Sequence, residues 1–169
     1  MLKRSSLPYL LIAFGSAVIL SMLTWQLVRE QSAGATLSLT VPKSLAGESL
    51  IAQESGSVAL EEIGSLHGKD FDLTDGTVAR YGDATVWAAK AKDEAAAKTM
   101  VDTMTRRITE GRSPFTPTGT RPVNGRMVWT LTGMGQSHFY WQTNDKVVWL
   151  AISPDLAERG LRELMLALR

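Results

Sequence analysis

The sequence contains no cysteine. This absence excludes disulfide bonds, thiolate catalysis, thiolate metal sites and a lipid-modified N-terminal cysteine. Because cysteine-free chains are compatible with reducing and with oxidising compartments, the absence does not say where the protein lies.

An excess of charge of one sign is also missing. The chain has 18 basic and 17 acidic residues, so its formal net charge is +1. Nucleic-acid binding relies on clustered positive charge, and no basic stripe stands out along this chain. We therefore expect no nucleic-acid partner.

The common catalytic motifs are absent as well. We find no GxSxG or HExxH motif and no paired-carboxylate pattern. Gly133-Met134-Gly135 lacks the third glycine of a dinucleotide-binding loop and leads into a strand, so it is typical of a hairpin turn. These absences predict a protein that is not an enzyme and uses no cofactor.

A long uncharged stretch, Ser5 to Val28, is present near the N-terminus. As a helix it would span roughly 35 Å, against about 30 Å of membrane hydrocarbon. Lys3 and Arg4 precede it, which by the positive-inside rule predicts a cytoplasmic N-terminus. We thus predict a transmembrane anchor over residues 1–30, embedded in the lipid bilayer through residues 5–28. The remaining chain would lie in the periplasm or outside.

Two alternatives to this anchor remain open. Ala33-Gly34-Ala35 has the small-x-small form of a signal-peptidase site, so cleavage after Ala35 is one of them. The apolar run is longer than the 7–15 residues usual in a signal peptide, which favours the retained anchor. A buried helix of a soluble protein is the other.

Hydrophobic periodicity predicts an α+β fold for the rest of the chain. Residues 31–57 are rich in small and polar residues and predict a linker, and residues 58–169 predict one extracytoplasmic domain. We expect an antiparallel sheet of about five to six strands, with two to three amphipathic helices packed mainly on one face. The predicted helices cover residues 58–66, 93–110 and the segment from Ser153 onward. The predicted strands include residues 77–81, 84–90, 126–132, 137–143 and 146–152.

Two features of the predicted sheet remained ambiguous. Both of its faces carry large apolar groups, so the second face is either covered by the linker and first helix or exposed as an aromatic binding surface. Segment 112–122 contains three prolines and is not expected to stay regular for long. Asn124-Gly125 directly after it predicts a type I′ hairpin turn.

The segment GMGQSHFYWQ, residues 133–142, contains the most conspicuous candidate binding residues. Strand alternation places His138, Tyr140 and Gln142 on one face, with Phe139 and Trp141 on the other. The full set of candidate binding residues is Gln136, His138, Tyr140, Trp141, Trp149, His67 and Asp70.

Metal, haem and hydrolase functions are the alternatives. His67 and His138 are the only two histidines, and with Met134 they are the weak candidate ligands of a metal or haem accessory protein. Asp70, Asp72 and Asp75 resemble an acidic calcium loop but fail the EF-hand spacing. A small envelope hydrolase would need Ser137, His67 and Asp70 to converge.

Four stretches of the sequence carry a resemblance to a known group of proteins. They are LHGKDFDLTDGTVARYG, ATVWAAKA, GRSPFTPTGTRPVNGR and GMGQSHFYW…VVWLAI. In these stretches the chain resembles a group of uncharacterised single-span bacterial envelope proteins, over roughly residues 40–168. The resemblance implies a bacterial envelope protein and no particular activity. Together with the anchor, it predicts a binding or assembly module with an envelope protein partner.

Overall fold

The computed structural model describes residues 39–67 and 71–168. The predicted anchor over residues 5–28, the cleavage site at Ala35 and Asp70 lie outside the described residues. Within them, no helix combines the length and apolar character needed to cross a membrane.

The described chain is an α+β fold with three helices and nine strands, two of which form a separate small hairpin. The helices are α1 (Ser57–His67), α2 (Glu94–Thr109) and α3 (Ala157–Ala167). The first five strands are β1 (Ser44–Leu45), β2 (Glu48–Ser49), β3 (Ala52–Ser55), β4 (Leu73–Tyr81) and β5 (Ala84–Ala91). The other four are β6 (Thr116–Val123), β7 (Arg126–Gly133), β8 (Gln136–Thr143) and β9 (Lys146–Ile152).

Seven strands, rather than the five to six predicted, form one antiparallel sheet in the order β3-β4-β5-β9-β8-β7-β6. Tight turns join its hairpins. Asn124 and Gly125 have φ values of 49° and 76°, as the predicted type I′ turn requires. The pairing of β5 with β9 joins the β4–β5 hairpin to the β6–β9 meander, which places β9 in the middle of the sheet.

Helices cover both faces of this sheet. Apolar residues of α1 and α2 pack on one face, in a cluster that includes Ile63, Met100 and Val147. Residues of α3 and of segment 39–46 pack on the other, in a cluster that includes Leu45, Trp141 and Leu161. The sequence predicted that the helices pack mainly on one face. Helices α1 and α2 do share a face, whereas α3 lies on the opposite face. Alternation makes both faces apolar, so each needs a cover.

Helix α2 begins and ends as its sequence predicts. The Asp93 carboxylate accepts a hydrogen bond of 2.7 Å from the Ala96 N–H, so Asp93 is the N-cap. The buried residues of α2 follow helical spacing; they are Ala97, Met100, Val101, Met104 and Ile108. In contrast, α3 begins at Ala157, after a turn that includes Pro154, and no side chain caps it. Its predicted start at Ser153 was too early.

Residues 39–57 belong to the folded unit. Leu39, Val41 and Leu45 are buried, and β3 pairs with β4 at one edge of the sheet. The predicted linker over residues 31–57 therefore needs correction from residue 39 onward. The small and polar residues of this segment predicted a linker, but tertiary contacts stabilise a short hairpin (β1–β2) and an edge strand (β3) there.

Candidate functional site

Aromatic residues of four adjacent strands lie in one transverse row of the sheet. Trp87 of β5 pairs with Trp149 of β9, Trp149 pairs with Tyr140 of β8, and Tyr140 pairs with Trp129 of β7. We call these four residues the aromatic row. All four pack with the apolar cluster on the face covered by α1 and α2.

Three of these rings form a continuous stack. The ring centroids of Trp129 and Tyr140 are 5.3 Å apart with an interplanar angle of 10°. Those of Tyr140 and Trp149 are 5.2 Å apart at 8°. Cross-strand aromatic pairs of this kind contribute about 0.5–1.5 kcal/mol each beyond their burial. The stack thus holds β7, β8 and β9 together and keeps its rings in fixed positions.

Burial differs along the row. Tyr140 is only 1% exposed, and its hydroxyl lies 2.8 Å from the Thr105 hydroxyl of α2. Burial raises the pKa of Tyr140, and the hydrogen bond to Thr105 partly offsets this. The three tryptophans are partly buried. The middle of the row is therefore sealed by α2, and indole surface remains accessible around it.

The indole N–H at the β5 end of the row is bonded to helix α1. Trp87 Nε1 donates to Glu62 Oε1 at 2.9 Å, and Arg80 Nη2 donates to Glu62 Oε2 at 2.7 Å. Partial burial raises the pKa of Glu62, but the hydrogen bonds from Trp87 and Arg80 together outweigh it and hold that pKa below its ordinary value. An ionised Glu62 therefore positions Trp87.

His138 lies beside the row with both ring nitrogens in use. Trp149 Nε1 and His138 Nδ1 are 3.2 Å apart, and His138 Nε2 lies 3.0 Å from the Gly133 carbonyl oxygen. An indole N–H can only donate and a carbonyl can only accept, so His138 is neutral with its proton on Nε2. Burial lowers the pKa of His138, and the bond to the Gly133 carbonyl opposes this. The ring as it stands has no free nitrogen for a metal.

Phe115 packs over His138 and Trp149. Its ring centroid lies 4.5 Å from that of His138 and 5.1 Å from that of Trp149. Gly133 makes room for it, because a Cβ there would lie 2.6 Å from Phe115 Cδ1. The sequence predicted positive φ for the turn glycines. Gly135 has the expected positive φ, at 77°, but Gly133 does not, and the close approach of Phe115 is what requires glycine there.

The structure brings together only part of the predicted binding set. His138 and Tyr140 lie on one face, as alternation predicted, and the pairing of Tyr140 with Trp149 places Trp149 on the same face. Trp141 lies on the other face, fully buried, and its Nε1 has no hydrogen-bond partner in the described part of the chain. Gln136 lies at the end of β8, where its Nε2 donates to the Asp83 carbonyl oxygen at 2.7 Å.

The metal and hydrolase alternatives gain no support from the described residues. They contain no group of three or more His, Asp or Glu side chains that could hold a metal. Met134 is 77% exposed at a hairpin tip, and Asp75 Oδ1 accepts from the N–H of Gly76 at 2.8 Å. The side chain of His67 and all of Asp70 lie outside the described residues, so the Ser137 triad has no geometry to assess.

Trp87, Trp129 and Phe115 were missed as members of the site. The hairpin sequences could have aligned Trp129 with Tyr140, because the turn at Met134-Gly135 fixes their register. Trp87 could not be aligned in this way. Its neighbour Trp149 is on a strand far along the chain, and only the assembled sheet pairs β5 with β9.

A surface hollow on the opposite face of the sheet is lined largely by polar residues rather than by aromatic rings. It has a volume of about 420 Å³ and lies on the α3 face, beside β6, β7 and the first turn of α3. Thr130, Thr132 and Ser137 line it, and Arg121 pairs with Glu158 at its wall. A paired Arg–Glu beside hydroxyls provides neither a nucleophile–base pair nor a metal site.

Comparisons with protein-family models, with curated proteins and with solved structures find no match for this chain. The resemblance to single-span bacterial envelope proteins therefore stays a prediction, and function must be inferred from the geometry of the aromatic row and its neighbours.

Proposed function

We propose that this protein is a membrane-anchored, extracytoplasmic module that binds or helps to assemble an envelope protein partner, without catalysis. Its partner contacts the aromatic row and the adjoining edges of α1 and α2. The N-terminal run over residues 5–28 tethers the domain to the cytoplasmic membrane, with residues 39–168 on the outer side.

The observation that supports this proposal is the three partly exposed tryptophans of the aromatic row. Tryptophan is strongly enriched among the residues that dominate binding energy at protein interfaces, because it buries a large area at a small cost in side-chain entropy. Here the indoles of Trp87, Trp129 and Trp149 are held in place by stacking or hydrogen bonds before a partner arrives. Preorganisation of this kind favours binding.

Exposed apolar side chains on α1 extend the same surface. Val58 and Leu66 are 58% and 59% exposed and lie one helical turn to either side of Glu62, which faces Trp87. An apolar patch around a fixed carboxylate offers both area and orientation to a protein partner.

Co-purification tests the binding proposal. Tagged full-length protein is solubilised from native membranes in mild detergent, and bound proteins are identified for the wild type and for Trp129→Leu and Val58→Ser. We expect one specific partner with the wild type and at least about tenfold less of it with each variant, which corresponds to about 1.4 kcal/mol.

Leu166→Ala is the matched control, since Leu166 is an exposed apolar residue of α3, on the other face of the sheet. It should recover the partner as the wild type does. Recovery of a lone monomer in every case, or equal loss with Leu166→Ala, would contradict the proposed function.

The anchor has its own test. Alkaline phosphatase fused after Arg169 should be active, because that enzyme works only outside the cytoplasm, and a cytoplasmic reporter at the same position should be silent. Sequencing of the mature N-terminus distinguishes a retained anchor from cleavage after Ala35. An active cytoplasmic reporter would overturn the proposed location.

A further inference from the structure

His138 occupies a position at which one added proton breaks contacts. The side chain is 3% exposed, and its neutral form satisfies two partners at once: the indole N–H of Trp149 and the carbonyl of Gly133. Phe115 packs on the same ring. Three different segments of the chain therefore meet on one imidazole.

A doubly protonated ring cannot keep these contacts. Nδ1 would then carry a hydrogen aimed at the indole N–H of Trp149, so two donors would face each other without an acceptor. The new positive charge would also be largely desolvated, which is costly without a partner. Only the bond to the Gly133 carbonyl suits the charged ring.

The ring contacts of His138, to Trp149, Gly133 and Phe115, include no charged side chain. Among the charged groups on neighbouring described segments are Asp83, in the turn that binds Gln136, and Arg106 and Arg107, in the last turn of α2, and none of these three contributes to the pKa of His138. Strand β8 has no ionisable residue besides His138 and Tyr140. Arg126 lies at the end of β7 that is far from Gly133, and Lys146 lies at the end of β9 that is far from Ile152. In the segment that carries Phe115, Glu110 and Arg112 pair with each other at the surface. The two influences on the pKa of His138 are its burial and the Gly133 carbonyl.

We propose that His138 is an acid-sensitive latch: when its ring takes up a second proton, Trp149 and Phe115 separate from it and the aromatic row opens, while the sheet stays folded. As control over partner binding, this latch rests on the proposed function. As a structural event in the protein alone, it does not.

The opening is local because Phe115 and the Trp149 indole can move without displacing the strands of the sheet. Phe115 is carried by the segment between α2 and β6, whose residues from Glu110 to Pro114 are mostly exposed. The Trp149 indole is partly exposed, and once its bond to His138 is lost, opening requires only that it leave its stack on Tyr140 and turn toward solvent. The backbone of β9 is held between β5 and β8. The latch stays closed at neutral pH, since burial keeps the neutral form favoured, and opens below the ordinary histidine value of about 6.5.

Two spectroscopic measurements on the full-length protein in detergent test the latch. The first is an NMR titration of the His138 ring from about pH 8 to about pH 4, a range that brackets the ordinary value of about 6.5. The chain has two histidines, so a His67→Gln variant assigns the signals. The second is acrylamide quenching of tryptophan fluorescence over the same range, with far-ultraviolet circular dichroism recorded in parallel.

We expect His138 to titrate with a midpoint below about 6.5 and quenching to rise with the same midpoint, at constant circular dichroism. His67→Gln should keep this transition. His138→Gln should lose it, because an amide can accept from Trp149 and donate to Gly133 but cannot titrate. Phe115→Ala, which removes the cover, should show high quenching already at neutral pH and serves if His138→Gln fails to fold.

Persistence of the transition in His138→Gln, a His138 ring that stays neutral throughout, or loss of circular dichroism at the same midpoint would each overturn the latch. Low neutral-pH quenching in Phe115→Ala would overturn it too. Co-purification at neutral and acidic pH separates the two proposals. A partner retained equally at both pH values overturns control by the latch, whereas a partner found at neither contradicts the proposed function.

Discussion

Tyr81 shows how a single buried hydroxyl ties the chain together at the scale of one residue. Strand alternation places it in the core on the α3 face, fully buried. Its hydroxyl donates to the Pro42 carbonyl oxygen at 2.7 Å, which fixes the segment before β1 against the sheet. Burial raises the pKa of Tyr81 to about 12. The sequence predicted a strand over residues 77–81, but the partner of the hydroxyl lies far away in the chain.

Tyr81→Phe should lower the free energy of unfolding by about 1–3 kcal/mol, because it leaves the Pro42 carbonyl without its hydrogen bond in a partly buried site. Tyr140→Phe is the matched control. It should cost less, since the Thr105 hydroxyl keeps its bond to the Val101 carbonyl. Urea unfolding followed by circular dichroism measures both, and an equal loss for the two variants would contradict this reasoning.

Alkaline pH provides a second readout for Tyr81. Its folded-state pKa of about 12 lies above the ordinary value of 10.0, so the folded state retains a proton that the unfolded chain releases. The stabilisation is present below about pH 10 and is lost as pH rises toward 12. The loss in unfolding free energy over this range should be smaller in Tyr81→Phe.

At the scale of elements, glycine shows how closely α3 approaches the sheet. A Cβ on Gly160 would lie 2.4 Å from Ile152 Cδ1 of β9, and Ile152 is fully buried. Gly64 of α1 is also helical, and a Cβ there would meet nothing within 4 Å. Both glycines interrupt a helical pattern in the same way, so periodicity alone cannot distinguish them.

The same change at these two glycines should have opposite effects. Gly160→Ala should destabilise the fold by about 1–3 kcal/mol, because a buried side chain must move to admit the methyl group. Gly64→Ala should stabilise it by about 0.5–1 kcal/mol through its better helix propensity. Thermal and urea unfolding of the two variants provide the comparison, and a gain at Gly160 would show that α3 packs less closely.

Strand β6 shows where element prediction from sequence was incomplete. Its prolines predicted only a short regular segment, yet Thr116–Val123 forms a strand of eight residues. It is an edge strand with a register shift between Pro117 and Gly119. An edge strand leaves one side unpaired, so prolines are tolerated there. Whether a segment lies at an edge depends on the order of strands, which local sequence does not specify.

At the scale of the whole molecule, segment 39–51 decides how the second sheet face is covered. The Ala46 N–H donates to Glu163 Oε2 of α3 at 2.7 Å, and Leu45 is fully buried. The hydrogen bonds from Arg159 and from Ala46 hold the pKa of Glu163 below its ordinary value. This segment is part of the core, although its composition predicted a linker.

Leu45→Ala should therefore lower the free energy of unfolding by about 2–5 kcal/mol, the usual cost of emptying a core position. Ile51→Ala, in the same segment at a site 70% exposed, should change it by less than about 0.5 kcal/mol. Urea unfolding of the full-length chain measures both. Similar small effects would mean that the segment is a loosely held linker after all.

The sequence by itself determined the local features of this protein: the capped helix α2, the two strands that flank Gly82-Asp83, the turn at Asn124-Gly125 and the alternation of side chains between the two faces in β7, β8 and β9. These features depend on neighbours within a few residues, through helical spacing, strand alternation and turn geometry. Strand alternation in the sequence likewise identified Tyr140 and Trp149, of β8 and β9, as candidate binding residues.

Only the tertiary structure decided how these pieces combine. It paired β5 with β9, which completed the aromatic row, and it placed α3 and segment 39–51 on the face opposite α1 and α2. It also gave His138 two hydrogen-bond partners, at Trp149 and Gly133. The physical reason is that burial of two apolar sheet faces is a property of the whole chain, since each face needs a cover from segments distant in sequence.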